Sequence, residues 1–163
     1  MSAFCCSNTG GLTAGSGFIL LLSLAVSCSP SHRQLQATAE INEVTSAIKS
    51  FYADHGYYPV PTNRLSNATV KDVLPVLLAQ SESSDVRLLN PELVLYVNVS
   101  SGRFLNGDYL DPWGSPYHLE LTTNTVPKLI IGGFTVGDNV AIWSNGRNRK
   151  NEMGHGDDIC SWK

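Results

Sequence analysis

The chain has 163 residues, of which 15% are charged, and a formal net charge of −3. That length supports one modest hydrophobic core and not two. A net-acidic chain with only 11 Lys and Arg argues against nucleic acid, whose phosphates need clustered cations. The cysteines at positions 5, 6, 28 and 160 match no zinc-ligand spacing and do not form a disulfide scaffold, since three of them lie in or just after the first apolar run or before it.

That run, Gly17 to Val26 (GFILLLSLAV), is too short to span a bilayer, which needs about twenty apolar residues. It fits the apolar region of a secretory signal, although no Lys or Arg precedes it. Leu24-Ala25-Val26-Ser27-Cys28 resembles a bacterial lipoprotein cleavage box, with Cys28 as the lipidated residue. A pilin-type leader cut between Gly17 and Phe18 and an ordinary signal peptide are the alternatives. Residues 1–30 are therefore expected to be a signal or anchor segment, and residues 31–163 the folded part.

From Ser31 to His55, Ala37, Ile41, Val44, Ile48 and Phe51 recur at spacings of three and four, which predicts one amphipathic helix of about six turns. Ser31 suits its N-cap and Gly56 its C-cap. Glu40 and Glu43 lie off the stripe and read as surface charges. Residues 56–163 form the head. A shorter helix is expected from Ala68 to Ala79, capped by Ser66 or Asn67 and kinked or shortened by Pro75. Ser81 to Asp85 reads as a polar loop, and Leu93 to Val99 (LVLYVNV) as a strand. Asp108 to Pro116 (DYLDPWGSP) is dense in turn residues, and Trp113 reads as a packing anchor within it. Tyr117, Leu119 and Leu121 alternate with polar residues, which predicts a half-buried strand. Lys128 to Ile131 and Val140 to Ser144 read as two more extended segments. The fold class is α+β: a long N-terminal helix packed on a small antiparallel sheet of about four strands.

The C-terminal stretch, Ala141 to Trp162 (AIWSNGRNRKNEMGHGDDICSW), begins as a strand, becomes polar and returns to apolar residues. The paired carboxylates Asp157 and Asp158, in a loop rich in amides and carbonyls, point to a hard cation, because calcium takes about six to eight oxygen ligands. His155 raises a transition-metal alternative, but no second histidine lies nearby in sequence. Arg147, Arg149 and Lys150 cluster in the same loop and read as a solvated face. No nucleophile–base, P-loop, Rossmann or zinc-protease motif is present, so an enzyme is not expected.

Three stretches occur together: a helix ending Tyr52-Ala53-Asp54-His55-Gly56-Tyr57-Tyr58-Pro59, a turn Asp111-Pro112-Trp113-Gly114-Ser115-Pro116-Tyr117, and Ser144-Asn145-Gly146 followed by Asp157-Asp158-Ile159-Cys160-Ser161-Trp162. Together they resemble the major pseudopilin of type II secretion systems over roughly residues 38–163. The resemblance implies a pilin-like fold and a calcium-stabilised structural subunit in protein secretion across the outer membrane. It also implies calcium ligands at Asn148, Asp157 and Asp158 together with backbone carbonyls. Asn148 stands where the family has an Asp, which removes one negative charge and lowers the expected affinity. Leu22 stands where a pilin-type helix has a Glu. The implied partners are other pseudopilin subunits or secretion-system proteins, with the N-terminus at a membrane and the head in the periplasm of a bacterial cell envelope. The alternative is a membrane-tethered, pseudopilin-like lipoprotein that binds a partner without forming a filament.

Overall fold

The computed structural model describes residues 30–123 and 129–163. The expected signal segment, with Gly17, Phe18 and Cys28, lies outside the described residues, apart from Pro30. Helix α1 runs His32–His55. Its N-terminus is closed by a reciprocal capping box in which Ser31 Oγ accepts from Gln34 N–H and Gln34 Oε1 accepts from Ser31 N–H. At the other end Gly56, at φ 75°, donates its N–H to the Tyr52 carbonyl. Ala37, Ile41, Val44, Ile48 and Phe51 are all buried, as their spacing predicts.

Helix α2 is Val70–Leu77, capped by Thr69 and Asp72 rather than by Ser66 or Asn67; residues 62–67 form a 3₁₀ turn instead. Its end comes two residues earlier than the sequence reading, just past Pro75. There Ala79 adopts a left-handed conformation and Gln80 N–H closes on the Pro75 carbonyl. Helix α3, Ser84–Leu89, begins inside the stretch read as a polar loop.

The expected strand Leu93–Val99 does not form. The Asn90 side chain accepts from Val94 N–H and donates to the Val94 carbonyl and to the Val76 carbonyl, while Tyr96 and Val97 N–H both go to the Leu77 carbonyl. The polar backbone of this segment is thus occupied by a buried amide and a helix end, and positive φ at Leu93 breaks the extended run.

Strands β1 (Phe104–Leu105) and β2 (Asp108–Tyr109) make a short hairpin. β3 (His118–Leu121), β6 (Val140–Ser144) and β7 (Ile159–Cys160) form the main antiparallel sheet in the order β3-β6-β7. Between them β4 (Ile130–Ile131) and β5 (Phe134–Thr135) form another hairpin. Among the described residues the architecture is α+β with one three-stranded sheet and two hairpins, so the strands form several small antiparallel sheets where the sequence predicts a sheet of about four strands.

Strand β6 is buried along its whole length. Val140 and Ile142 join the main core with the apolar stripe of α1. Ala141 and Trp143 point the opposite way, into a second cluster with Ile131 and Val136. The α1 stripe and the sheet thus share one core, and the C-terminal loop hangs from the end of β6. No helix among the described residues is long and apolar enough to cross a membrane.

Candidate functional site

The loop 145–158 leaves β6 at Ser144 and returns at β7. Its entry is set by Asp111, which is buried. Asp111 Oδ1 accepts from Trp113 N–H at 2.9 Å and Ser115 N–H at 2.8 Å, the short-range pattern that aspartate before a turn favours. Its other oxygen accepts from Ser144 Oγ at 2.6 Å, and Ser144 Oγ in turn accepts from Gly146 N–H at 3.0 Å. The Asp-Pro-Trp-Gly turn therefore holds the first residues of the loop. Trp113 is buried, consistent with a packing anchor.

The loop is pinned at its middle as well. His118 stacks on Trp143, with ring centroids 4.9 Å apart at 17°, and its Nε2 lies 2.8 Å from Asn145 Oδ1. Trp143 Nε1 donates to Asn151 Oδ1 at 3.0 Å, and Trp162 packs edge-on to Trp143 at 5.8 Å. His155 does not face a second imidazole; its Nε2 is 2.6 Å from the Gly132 carbonyl and its ring lies 4.5 Å from Phe134.

The three residues expected to ligate a cation do share one loop cradle. Asp157 Oδ2 accepts from Asn148 N–H at 2.9 Å. Asp158 Oδ2 accepts from the N–H groups of Glu152 and Gly154 at 3.0 and 2.9 Å. Asn148 Oδ1 accepts from Lys150 N–H, and its Nδ2 donates to Glu152 Oε2 at 3.0 Å. Glu152 is thus a third carboxylate of the cradle, one that sequence reasoning did not single out.

One atom in this cradle is unsatisfied. Asp158 Oδ1 is buried and has no hydrogen-bond partner. An orphaned carboxylate oxygen is costly to leave in a low-dielectric site. Burial pushes the Asp158 carboxyl above the usual carboxylate range against its two amide donors, and the charges of Glu152 and Asp157 add to the rise. A cation would relieve both the orphaned oxygen and the carboxylate repulsion. Among the described residues no three His, Cys, Asp or Glu side chains converge closely enough to hold an ion by themselves. Backbone carbonyls and the Asn148 amide oxygen would therefore have to complete any coordination shell, an oxygen set that suits calcium.

A second polar cluster, away from this loop, was not legible as such. Glu40, read as a surface charge, is only 12% exposed at its side chain and pairs with Arg103. Its Oε2 also accepts from Tyr117 Oη at 2.6 Å, and Arg103 Nη2 donates to Tyr109 Oη at 3.2 Å. Arg103 Nε and Nη1 are buried without partners. Burial and the Glu40 carboxylate raise the Tyr117 phenol far above its ordinary value. The cluster ties α1 to the β1–β2 hairpin and β3, and nothing in it pairs a nucleophile with a base.

Comparison with protein-family models and with curated protein sequences returned no match to this chain.

Proposed function

We propose that the chain is a non-enzymatic structural subunit resembling the major pseudopilin of type II secretion systems, with a C-terminal loop stabilised by calcium. The single observation that carries this reading is Asp158: one oxygen holds two loop amides and the other is buried and unpaired, beside two further carboxylates. Asp157, Asp158 and the Asn148 amide oxygen would hold the ion, and the ion would supply positive charge that offsets the carboxylates. In support, one face of a long N-terminal helix lies on an antiparallel sheet, and the loop returns to that sheet through β7. On this reading the partners are further pseudopilin-like subunits or secretion-system proteins in a bacterial envelope, with the head in the periplasm.

A thermal melt with calcium and with chelator tests the ion. A ligand bound only by the folded state raises stability by about 2.7 kcal/mol at a hundredfold excess over Kd. An unchanged midpoint at millimolar calcium would sink the calcium claim.

A second reading has its own observation. The apolar run Gly17–Val26 ends in the box Leu24-Ala25-Val26-Ser27-Cys28, and Leu22 stands where a filament-forming pilin has a Glu. These residues favour a lipoprotein tethered through Cys28 that binds a partner without polymerising. The intact mass of the membrane-extracted protein separates the two: a diacylated start at Cys28 supports the tether, and an N-methylated start at Phe18 supports the filament.

A further inference from the structure

The basic residues of the loop do not stand alone in space. Arg147 and Arg149 line one groove with Ser31, His32, Arg33 and Trp113, at the N-terminus of α1. Lys150 follows Arg149 on the same exposed stretch. The fold thus gathers Arg33 with Arg147, Arg149 and Lys150, which stand more than a hundred positions later in the chain.

None of these four cations forms an ion pair among the described residues, whereas Lys49, Arg64 and Arg103 each do. The first turn of α1 carries no acidic residue to offset them. The helix N-terminus adds its own partial positive charge to the same end of the molecule. One carboxylate, Asp157, lines an adjoining recess with Arg147 and offsets one of the four charges; its Oδ2 accepts from Asn148 N–H. This end of the head therefore presents unneutralised positive charge on a chain whose net charge is −3.

The position of the patch identifies its partner. Residues 27–31 alone separate the apolar run ending at Val26 from the start of α1. Even fully extended, that link spans no more than about 20 Å. If Gly17–Val26 sits in or at a bilayer, the end of the head that faces the bilayer is this cationic one. We propose that Arg33, Arg147, Arg149 and Lys150 form a docking surface for the anionic phospholipid headgroups of the membrane to which the N-terminus is attached. The inference rests on the reading of the N-terminus as a membrane segment, and it adds to it a fixed orientation of the head. Headgroup attraction falls off within a Debye length, so the surface acts only when the apolar run brings it close.

The test is binding of the full chain to vesicles of pure phosphatidylcholine and of phosphatidylcholine with phosphatidylglycerol. Binding to the neutral vesicles reports the apolar run; the ratio between the two compositions reports the patch. With each cation near an anionic surface contributing about fivefold, the ratio is expected to exceed about tenfold. It is expected to collapse towards one in salt that shortens the Debye length to about 3 Å. The variant R147Q/R149Q/K150Q changes exposed side chains only and is expected to lose most of the ratio while binding neutral vesicles as before. The control K49Q/K71Q/R87Q removes as many cations elsewhere and is expected to keep it.

Neutral binding without a gain on anionic vesicles overturns the docking surface and leaves the membrane segment standing. A gain on anionic vesicles without neutral binding supports the surface and counts against the segment. Failure on both compositions overturns both. Equal loss in the two variants reduces the effect to bulk charge and overturns the proposal, as does salt-sensitive binding of soluble polyglutamate with no gain on anionic vesicles, which would assign the patch to an acidic protein.

Discussion

Ser144 Oγ donates to Asp111 Oδ2 at 2.6 Å, and both residues are buried. The contact joins the turn that precedes β3 to the last residue of β6, so one carboxylate sets the geometry of two chain segments. It also fixes the point from which the C-terminal loop departs.

Replacing Asp111 by Ala leaves the N–H groups of Trp113 and Ser115 and the hydroxyl of Ser144 without their acceptor. Each buried orphan costs about 1–3 kcal/mol, with partial relief by water, so a total loss of about 3 kcal/mol or more is expected. Asp111→Asn keeps one acceptor oxygen and is expected to cost about half as much. Urea unfolding followed by tryptophan fluorescence measures both; equal midpoints for wild type and D111A would refute the role given to this carboxylate.

The Glu40–Arg103 pair is expected to behave as a buried ion pair. Arg103→Ala strands the Glu40 charge beneath Tyr117 and should cost about 3–5 kcal/mol. The double variant E40Q/R103M, which removes both charges at similar volume, should be much closer to wild type. A double-mutant cycle from urea midpoints decides this, and strictly additive single losses would show that the two side chains do not depend on each other.

Asp158 gives a pH dependence of defined sign in the absence of calcium. Its carboxyl is raised above the ordinary value of 3.8, first by burial and then by Glu152 and Asp157. The folded state therefore holds this proton more tightly than the unfolded state does. Its contribution favours folding at low pH and declines as pH rises through the folded titration range, opposite to that of a salt-bridged aspartate. Asp138 shows the other case: burial raises it, but the Lys49 ammonium and the amides of Asn139 and Val140 outweigh this and hold it low, so its contribution is lost on acidification. In chelator, wild type minus Asp158→Asn should show a stability difference that falls as pH rises from 3.8 upwards, and calcium should flatten it. A difference that grows with pH in chelator would contradict the unpaired oxygen.

Gly146 sits at φ 63°, and a Cβ there would lie against the Asp157 carbonyl group, well inside van der Waals contact. Gly146→Ala therefore combines left-handed strain with displacement of the residue beside Asp158, at an expected cost of about 1–3 kcal/mol. Because the clash falls on the cradle, the variant should also lose part of any calcium-induced shift in Tm. Alanine at the solvent-facing Gly137, which has open space around it and an ordinary φ, is the matched control and should leave that shift intact.

Local rules made some of this legible in the sequence. The stripe Ala37, Ile41, Val44, Ile48 and Phe51 and the caps Ser31 and Gly56 are short-range signals, and α1 follows them. Val140 to Ser144 and the alternation at Leu119 and Leu121 became β6 and β3 for the same reason. Leu93–Val99 failed because β propensity describes what a segment tolerates, while the partners of its amides are chosen by Asn90 and Leu77. Asn148, Asp157 and Asp158 do share a loop, yet nothing local announces that Glu152 joins them or that Asp158 keeps one oxygen unpaired. Glu40 looked solvated because its helix face does not reveal that Arg103 and Tyr117 cover it. Arg33 and the Arg147–Lys150 cluster are distant in sequence and adjacent only after folding.

Strand β6 has a consequence for synthesis. The apolar stripe of α1 from Ile41 to Phe51 shares its core with Val140, Ile142 and Ile159, which leave the ribosome far later. Until they emerge the stripe has only earlier partners such as Val73, Leu74 and Leu77 of α2 from its native core, and a nascent chain with a partly uncovered hydrophobic helix is a substrate for holdase chaperones and a target for proteases. Slowing the ribosome at codons just before residue 140 should therefore lower the yield of intact protein, whereas the same slowing before residue 41, ahead of the stripe, should not.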